Sequence, residues 1–348
     1  MINKIKNAIK LLIQGKFDLF WFKLLRKLGV KDMVPPLPFT LLVEPVNYCN
    51  LRCPLCPTGS GRLNRKPELM SFDRFKYIID QVRGYVNKMF LFNYGEPLLN
   101  DEVFKMAKYA TDAGINVKMS TNAQLLDKQE LCDGIIESKL KHLIISLDGL
   151  DQETLEQYRV GANYENEVNN IKMMMATKKK ANSKLPKIEL QFLVMKHNEH
   201  QKERMEEFAK ELGVDIFAAK TIFLYDTPDM QLMAKKFLPN DQKFSRYEKD
   251  ENDQFILKGK ITNHCDQVLG VAAINVNGDV VPCCYDLFSQ YIMGNVFETS
   301  LKKIWKGSRY NKLRNQINTN RGQNRMCSIC PENRIEFINE RKQLKNEA

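Results

Sequence analysis

At 348 residues, with 43% apolar and 27% charged positions, the chain has the composition of a folded globular protein, long enough for a barrel plus a smaller module. Its net charge of +11 is uneven: residues 1–35 carry eight Lys/Arg against two Asp, residues 301–348 carry twelve against four Glu, and residues 36–300 sum to −3. No apolar run approaches the ~20 residues of a membrane span. No secretory signal is expected from the first residues, so the nine cysteines point to reduced thiols and metal in the cytoplasm rather than disulfides. No nucleic-acid module accompanies the basic ends, and nucleic acid is not expected as a partner.

Ile2, Ile5, Ile9 and Leu12 recur at helical spacing, as do Phe17, Phe20, Trp21, Leu24, Leu25 and Leu28. Lys and Arg fill many intervening positions. This basic amphipathic segment, 1–35, is read as packing on the rest of the protein; peripheral membrane contact through residues 1–30 is the alternative. Val34-Pro-Pro-Leu-Pro38 ends it.

From residue 39 strand-like and helix-like segments alternate. The expected strands are Phe39–Val46, Lys88–Asn93, Asn116–Thr121, His142–Asp148, Lys187–Met195 and Val214–Ala219. The expected helices are Ser71–Val82, Asp101–Ala113, Asp127–Ser138, Glu165–Lys180 and Glu199–Leu212. Such alternation predicts an α/β fold with right-handed crossovers: a partial (β/α)6 TIM-like barrel over 38–225. Sites in such sheets collect at the C-terminal ends of the strands. Residues 226–258 are polar and read as a linker with helical pieces. A small C-terminal module occupies 259–340.

The chemistry-bearing stretch follows the first strand. Cys49, Cys53 and Cys56 have the spacing Cys-x3-Cys-x2-Cys, with no fourth cysteine nearby. A four-iron cluster normally takes four thiolates, so three leave one iron open. A structural zinc knuckle wants four close ligands, which this triplet does not supply. After the second strand comes Asn93-Tyr-Gly95-Glu96-Pro97. The third strand ends in Ser120-Thr-Asn122, and the fourth in Ser146-Leu-Asp148.

The cysteine triplet resembles the defining loop of the radical S-adenosylmethionine (radical SAM) family. Gly95-Glu96 resembles that family's Gly-Gly-Glu element, with Tyr94 where the first glycine usually sits. The resemblance implies that Cys49, Cys53 and Cys56 hold a 4Fe–4S cluster whose open iron is chelated by S-adenosyl-L-methionine. It implies cofactor contacts from Gly95, Glu96, Ser120, Asn122 and Ser146, and from Arg159 near the carboxylate. Leu55 stands where the family's adenine site usually has an aromatic. Asp148 is as readily a helix cap or turn holder.

Cys265, Cys283, Cys327 and Cys330 form a second group, around a hairpin signalled by Asn277-Gly278. Their layout resembles the SPASM extension, in which four thiolates ligate one auxiliary 4Fe–4S cluster. A structural zinc site with the same ligands is the alternative. Cys284 is spare, and Cys132 reads as core. By layout the chain is similar to the single-auxiliary-cluster branch that includes a cyclitol dehydrogenase. This implies a radical SAM oxidoreductase, of dehydrogenase type: the cofactor is cleaved reductively to a 5′-deoxyadenosyl radical, a substrate hydrogen is abstracted, and the auxiliary cluster takes the remaining electron. The substrate is expected to be a small molecule or peptide, and the electron donor of flavodoxin or ferredoxin type. A peptide-modifying maturase and a non-catalytic zinc or iron–sulfur protein are the alternatives.

Overall fold

The computed structural model describes residues 15–30, 33–334 and 340–344. The Ile2, Ile5, Ile9 and Leu12 series lies outside the described residues. Helix α1 (Phe17–Lys27) precedes a sheet in which β1 (Thr40–Val43), β2 (Lys88–Phe90), β3 (Asn116–Thr121), β4 (His142–Ser146), β5 (Lys187–Val194) and β6 (Ile216–Thr221) pair in parallel and in chain order. The crossovers are helices α2 (Phe72–Val82), α3 (Val103–Asp112), α4 (Gln129–Glu137), α5 (Gln152–Glu156), α6 (Tyr164–Lys180) and α7 (Lys202–Leu212). This is the partial barrel that the alternation predicts.

Local chemistry sets the helix ends. Ser71, Asp151 and Asn163 accept the first free N–H groups of α2, α5 and α6. Gly213 ends α7 at φ +74°, a conformation costly for a side chain. The expected strand Phe39–Val46 stops at Val43, because Pro45 and Val46 pair instead with Met70 and Leu69. Likewise Lys88–Asn93 stops at Phe90 and His142–Asp148 at Ser146. At each mouth the chain leaves the ladder to form a site loop.

Leu143, Ile145 and Leu190 bury one face of the sheet. The other face carries charge. Glu189 meets His142 Nε2 at 2.9 Å, Lys220 Nζ at 3.1 Å and Arg341 Nε at 3.0 Å. Burial raises the Glu189 carboxyl, but these partners outweigh it and hold the group at about 2.

Residues 226–258 are not a linker with helical pieces alone. They fold as α8 (Met230–Phe237) and an antiparallel pair, β7 (Tyr247–Lys249) with β8 (Phe255–Leu257). Phe237, Phe244 and Tyr247 bury there, which a polar average conceals. The C-terminal module then extends the barrel sheet. After α9 (Asp266–Gly270), β9 (Val271–Ile274) pairs in parallel with β1, and β10 (Asp279–Val281) and β11 (Gly294–Asn295) follow outward. The expected Asn277-Gly278 turn joins β9 to β10, with Gly278 at φ +91°. Helices α10 (Leu301–Lys306), α11 (Ser308–Asn320) and α12 (Arg325–Ser328) pack behind. Trp305 is fully buried and donates to the Pro35 carbonyl at 2.8 Å. Finally β12 (Glu340–Gln343) returns to pair antiparallel with β6. One ten-stranded sheet therefore carries both modules.

Candidate active site

The cysteine loop leaves the C-terminal end of β1. Gly59 lies so close to it that a Cβ would stand 2.5 Å from the Cys53 nitrogen, so no side chain fits. The loop is pinned by Cys56 N to Cys53 O at 3.1 Å and by Arg52 N to Val160 O at 2.9 Å. The second bond ties it to the segment after Arg159. Cys53 is buried; Cys49 and Cys56 are half-buried. Burial pushes the Cys49 thiol up to about 12, with Glu96, Cys56 and Cys53 adding to it. Burial likewise takes Cys53 to about 11, against the pull of Arg159. The raised Cys49 and Cys53 thiols ionise readily only beside a compensating cation, as a bound metal cluster provides. Among the described residues no three His, Cys, Asp or Glu close on a single ion. Three thiols on one loop, with no fourth cysteine nearby, are the donor type that a four-iron cluster with one open iron takes.

Gly95 has φ +129°, and a Cβ there would lie 2.3 Å from the Val46 carbonyl oxygen. Only glycine serves. Glu96 follows, 2% exposed. It accepts from Thr121 Oγ1 at 2.8 Å, Asn122 N at 2.9 Å and Leu98 N at 3.2 Å. A carboxylate has about four acceptor positions, so room for an ammonium donor remains. Asn122 Nδ2 donates to Asn50 Oδ1 at 2.8 Å and faces Cys49 Sγ at 3.7 Å. Cys49, Glu96 and Asn122 are thus joined through the ends of three neighbouring strands. Ser146 is buried at the end of β4, opposite Gln191 of β5. Ser120 is half-buried on the face of β3 opposite to Thr121. Leu55 is half-buried against the core. Cys132 is buried in α4.

Asp148 is not a helix cap. Asp151 caps α5, while buried Asp148 accepts from Arg159 Nε at 2.6 Å and Leu193 N at 2.7 Å. Arg159 is therefore aimed inward, and its side chain is only 14% exposed. The pair faces Cys53.

The second thiol group gathers around the β9–β10 hairpin. Cys265, Cys283, Cys327 and Cys330 are buried, and Cys284 is half-buried. Burial raises Cys283 well above the thiol range, with Cys284, Cys330 and Cys265 adding to it. Burial likewise raises Cys327 to about 11 and Cys330 to about 12. Fully buried Arg321 lies against both and pulls the other way. Its Nη1 donates to the His264 carbonyl at 2.9 Å, while Nε and Nη2 have no oxygen partner. Donors left facing thiols suit an anionic cluster. All nine cysteines are free.

Three contacts join the two thiol groups, and sequence reading did not anticipate them. Glu44, fully buried at the end of β1, takes Arg65 as a two-pronged partner at 2.6 and 2.8 Å. It also accepts from Val276 N at 3.1 Å, in the auxiliary hairpin, and from Tyr94 N. The Tyr94 hydroxyl donates to the Cys284 carbonyl. Tyr225, just past β6, is hydrogen-bonded to Tyr94 and lies near both Cys56 and Cys284. Tyrosine in place of the usual first glycine thus spans from one site to the other. An acid directly after the apolar strand Thr40–Val43 was the available signal for Glu44. Glu167 was also missed: it is fully buried on α6, bonded to Gln124 Nε2 at 2.8 Å, and faces Arg159. Its signal was an acid at helical spacing with Ile171 and Met174. Two small cavities, of about 230 and 80 Å3, flank Asp226 beside Tyr225 and share Ile329, which lies between Cys327 and Cys330.

A model of the radical SAM superfamily matches residues 43–185, and one of the SPASM iron–sulfur cluster-binding domain matches residues 265–331. The chain is 27% identical over 299 residues to an AdoMet-dependent heme synthase of Methanosarcina barkeri, across 76% of this chain and 82% of that protein. SuiB of Streptococcus suis, bound to S-adenosylmethionine, superposes with a TM-score of 0.62 at 19% identity, covering 86% of this chain and 73% of that one. BtrN in complex with AdoMet and 2-DOIA superposes with 0.52 at 15% identity, covering 86% and 95%. Both structural likenesses are likenesses of fold.

Proposed function

This chain belongs to the radical SAM superfamily and carries a SPASM domain, and on that premise we propose that it is a dehydrogenase-type oxidoreductase that oxidises a substrate C–H by two electrons. When bound, S-adenosylmethionine with its 4Fe–4S cluster supplies a 5′-deoxyadenosyl radical, and an auxiliary 4Fe–4S cluster supplies an electron acceptor. Cys49, Cys53 and Cys56 would hold the first cluster. Glu96, buried and already anchored by Thr121 and Asn122, offers a fixed acceptor for the cofactor's ammonium. Arg159, oriented by Asp148, offers its remaining N–H donors to the carboxylate. Gly95 lets the backbone close on the ligand, with Ser120, Asn122, Ser146 and Leu55 on the ribose and adenine side. Cys265, Cys283, Cys327 and Cys330 would hold the second cluster. Residues 38–225 are the radical-generating core and 259–340 the auxiliary domain in this reading, and a flavodoxin or ferredoxin supplies the priming electron.

The observation that carries it is the hydrogen bond from Tyr94, beside Gly95-Glu96, to the Cys284 carbonyl. It links the segment that carries Cys283 and Cys284 to the cofactor motif, which supports a coupled oxidation. A second reading, peptide modification, draws support from SuiB, which has also been seen bound to its precursor peptide SuiA. Anaerobic reconstitution should load about eight irons per chain, as two four-iron clusters require, and form 5′-deoxyadenosine under reduction. Cys327→Ala should keep cofactor cleavage and lose oxidation of a candidate metabolite or peptide. Unchanged product yield would sink the coupled-oxidation reading, and bound zinc without cofactor cleavage would sink both readings.

A further inference from the structure

The two basic ends of the sequence meet at one place in the fold. Helix α1 docks beneath the barrel, at the N-terminal ends of the strands and away from the candidate site. Phe22 packs on Phe39, just before β1, at 5.5 Å. Lys16 Nζ donates to the Arg83 carbonyl at 2.8 Å, and Asp18 accepts from the Tyr85 hydroxyl at 3.1 Å; both partners lie in the turn leading into β2. Asp18 also pairs at 2.5 Å with Lys302 of α10, from the basic C-terminal region.

Leu19 and Phe22 bury the inner face of α1. Its outer face is apolar too: Phe17 is 58% exposed, Trp21 56% and Leu28, at the helix end, 71%. Positions 17, 21 and 28 fall on one side at 3.6 residues per turn. Exposed Lys23 and Lys27 run alongside, and exposed Lys303 and Lys306 lie on α10. Large rings and leucine facing out, bordered by lysines, are what an interfacial helix presents to acyl chains and anionic headgroups.

We propose that the α1 outer face seats this protein on an anionic lipid surface. A second copy of the chain is the poorer occupant, since a two-fold contact here would oppose the lysine rows. The seating leaves the barrel mouth turned toward water, so the substrate arrives from solution rather than out of the bilayer.

The test is co-sedimentation of the full reconstituted chain with phosphatidylcholine vesicles, with and without phosphatidylglycerol. Binding should require phosphatidylglycerol, weaken with salt and shift tryptophan emission to the blue. The other tryptophan, Trp305, is buried, so the shift reports Trp21. The triple variant Phe17→Ser/Trp21→Ser/Leu28→Ser alters only exposed positions and should bind at least about tenfold more weakly, given the apolar area removed. No binding to phosphatidylglycerol vesicles overturns the proposal. So does unchanged binding by the triple variant, which would put the contact elsewhere on the chain. Lipid-free self-association that the triple variant abolishes overturns it in favour of a second copy.

Discussion

Glu44 gives the sharpest stability prediction, because one carboxylate serves three elements. Replacing it with alanine strips Arg65 of both close contacts and leaves the Val276 and Tyr94 N–H groups without an acceptor. Removing one partner of a buried ion pair costs about 3–5 kcal/mol. The Arg65 side chain is 13% exposed and keeps some hydration, which favours the lower end, about 3 kcal/mol. That is a large share of the ~5–15 kcal/mol that stabilises a domain. At roughly 2–4 °C per kcal/mol for large domains, Glu44→Ala should melt about 6 °C or more below the parent chain. The assay is thermal unfolding of the metal-free chain followed by near-ultraviolet circular dichroism. A double-mutant cycle with Arg65→Met isolates the pair, and its coupling should exceed about 1 kcal/mol. A shift within about 2 °C, or losses that simply add, would refute the idea that Glu44 locks the cysteine loop to the auxiliary hairpin.

Gly95→Ala should abolish tight cofactor binding, since the positive φ alone costs about 1–3 kcal/mol and the added Cβ meets a backbone carbonyl that cannot swing away. Equilibrium dialysis with labelled S-adenosylmethionine measures this, and parental affinity would remove Gly95 from the site. Arg159→Lys keeps the charge but loses the fork that lets one nitrogen hold Asp148 while others reach a carboxylate. Calorimetry should show about tenfold weaker cofactor binding; equal affinity would make Arg159 purely structural. Glu189, held at about 2 by His142, Lys220 and Arg341 against burial, contributes stability above its ordinary carboxylate range. That contribution is lost as pH falls from about 4.5 toward 2. Glu189→Gln should flatten the acid limb of a stability–pH curve there, and an unaltered limb would contradict the network.

The barrel was legible because each parallel strand is a short apolar run and each helix shows its own period. Asn116–Thr121 emerges as a strand end to end. Strand pairing was not legible. Val271–Ile274 reads as a hairpin arm, yet its other edge ladders onto β1, far back in sequence, and nothing local encodes that partner. The same holds for β12, whose sequence Glu-Arg-Lys-Gln looks like a solvated charge run. At the site, spacing singled out the three-cysteine loop, and family resemblance singled out the four later cysteines and the Gly95-Glu96 step as candidates. Sequence could not separate Asp148 from Asp151, because both precede a helix and only the fold shows which one Arg159 reaches. Nor could it give Tyr94 and Tyr225 their bridging roles, which exist only because two distant segments approach.

The sheet has a consequence for how the chain can be cut. β9 covers the outer edge of β1, and β12 covers the outer edge of β6. Both guards come from the C-terminal quarter. A truncation after the sixth barrel strand would leave two bare rows of amide and carbonyl groups, which recruit other chains. Such a fragment should precipitate whatever its redox chemistry, so deleting the C-terminal region tests edge protection before it tests electron flow. Point changes at the thiols leave the sheet sealed and are the cleaner way to ask what the second cluster contributes.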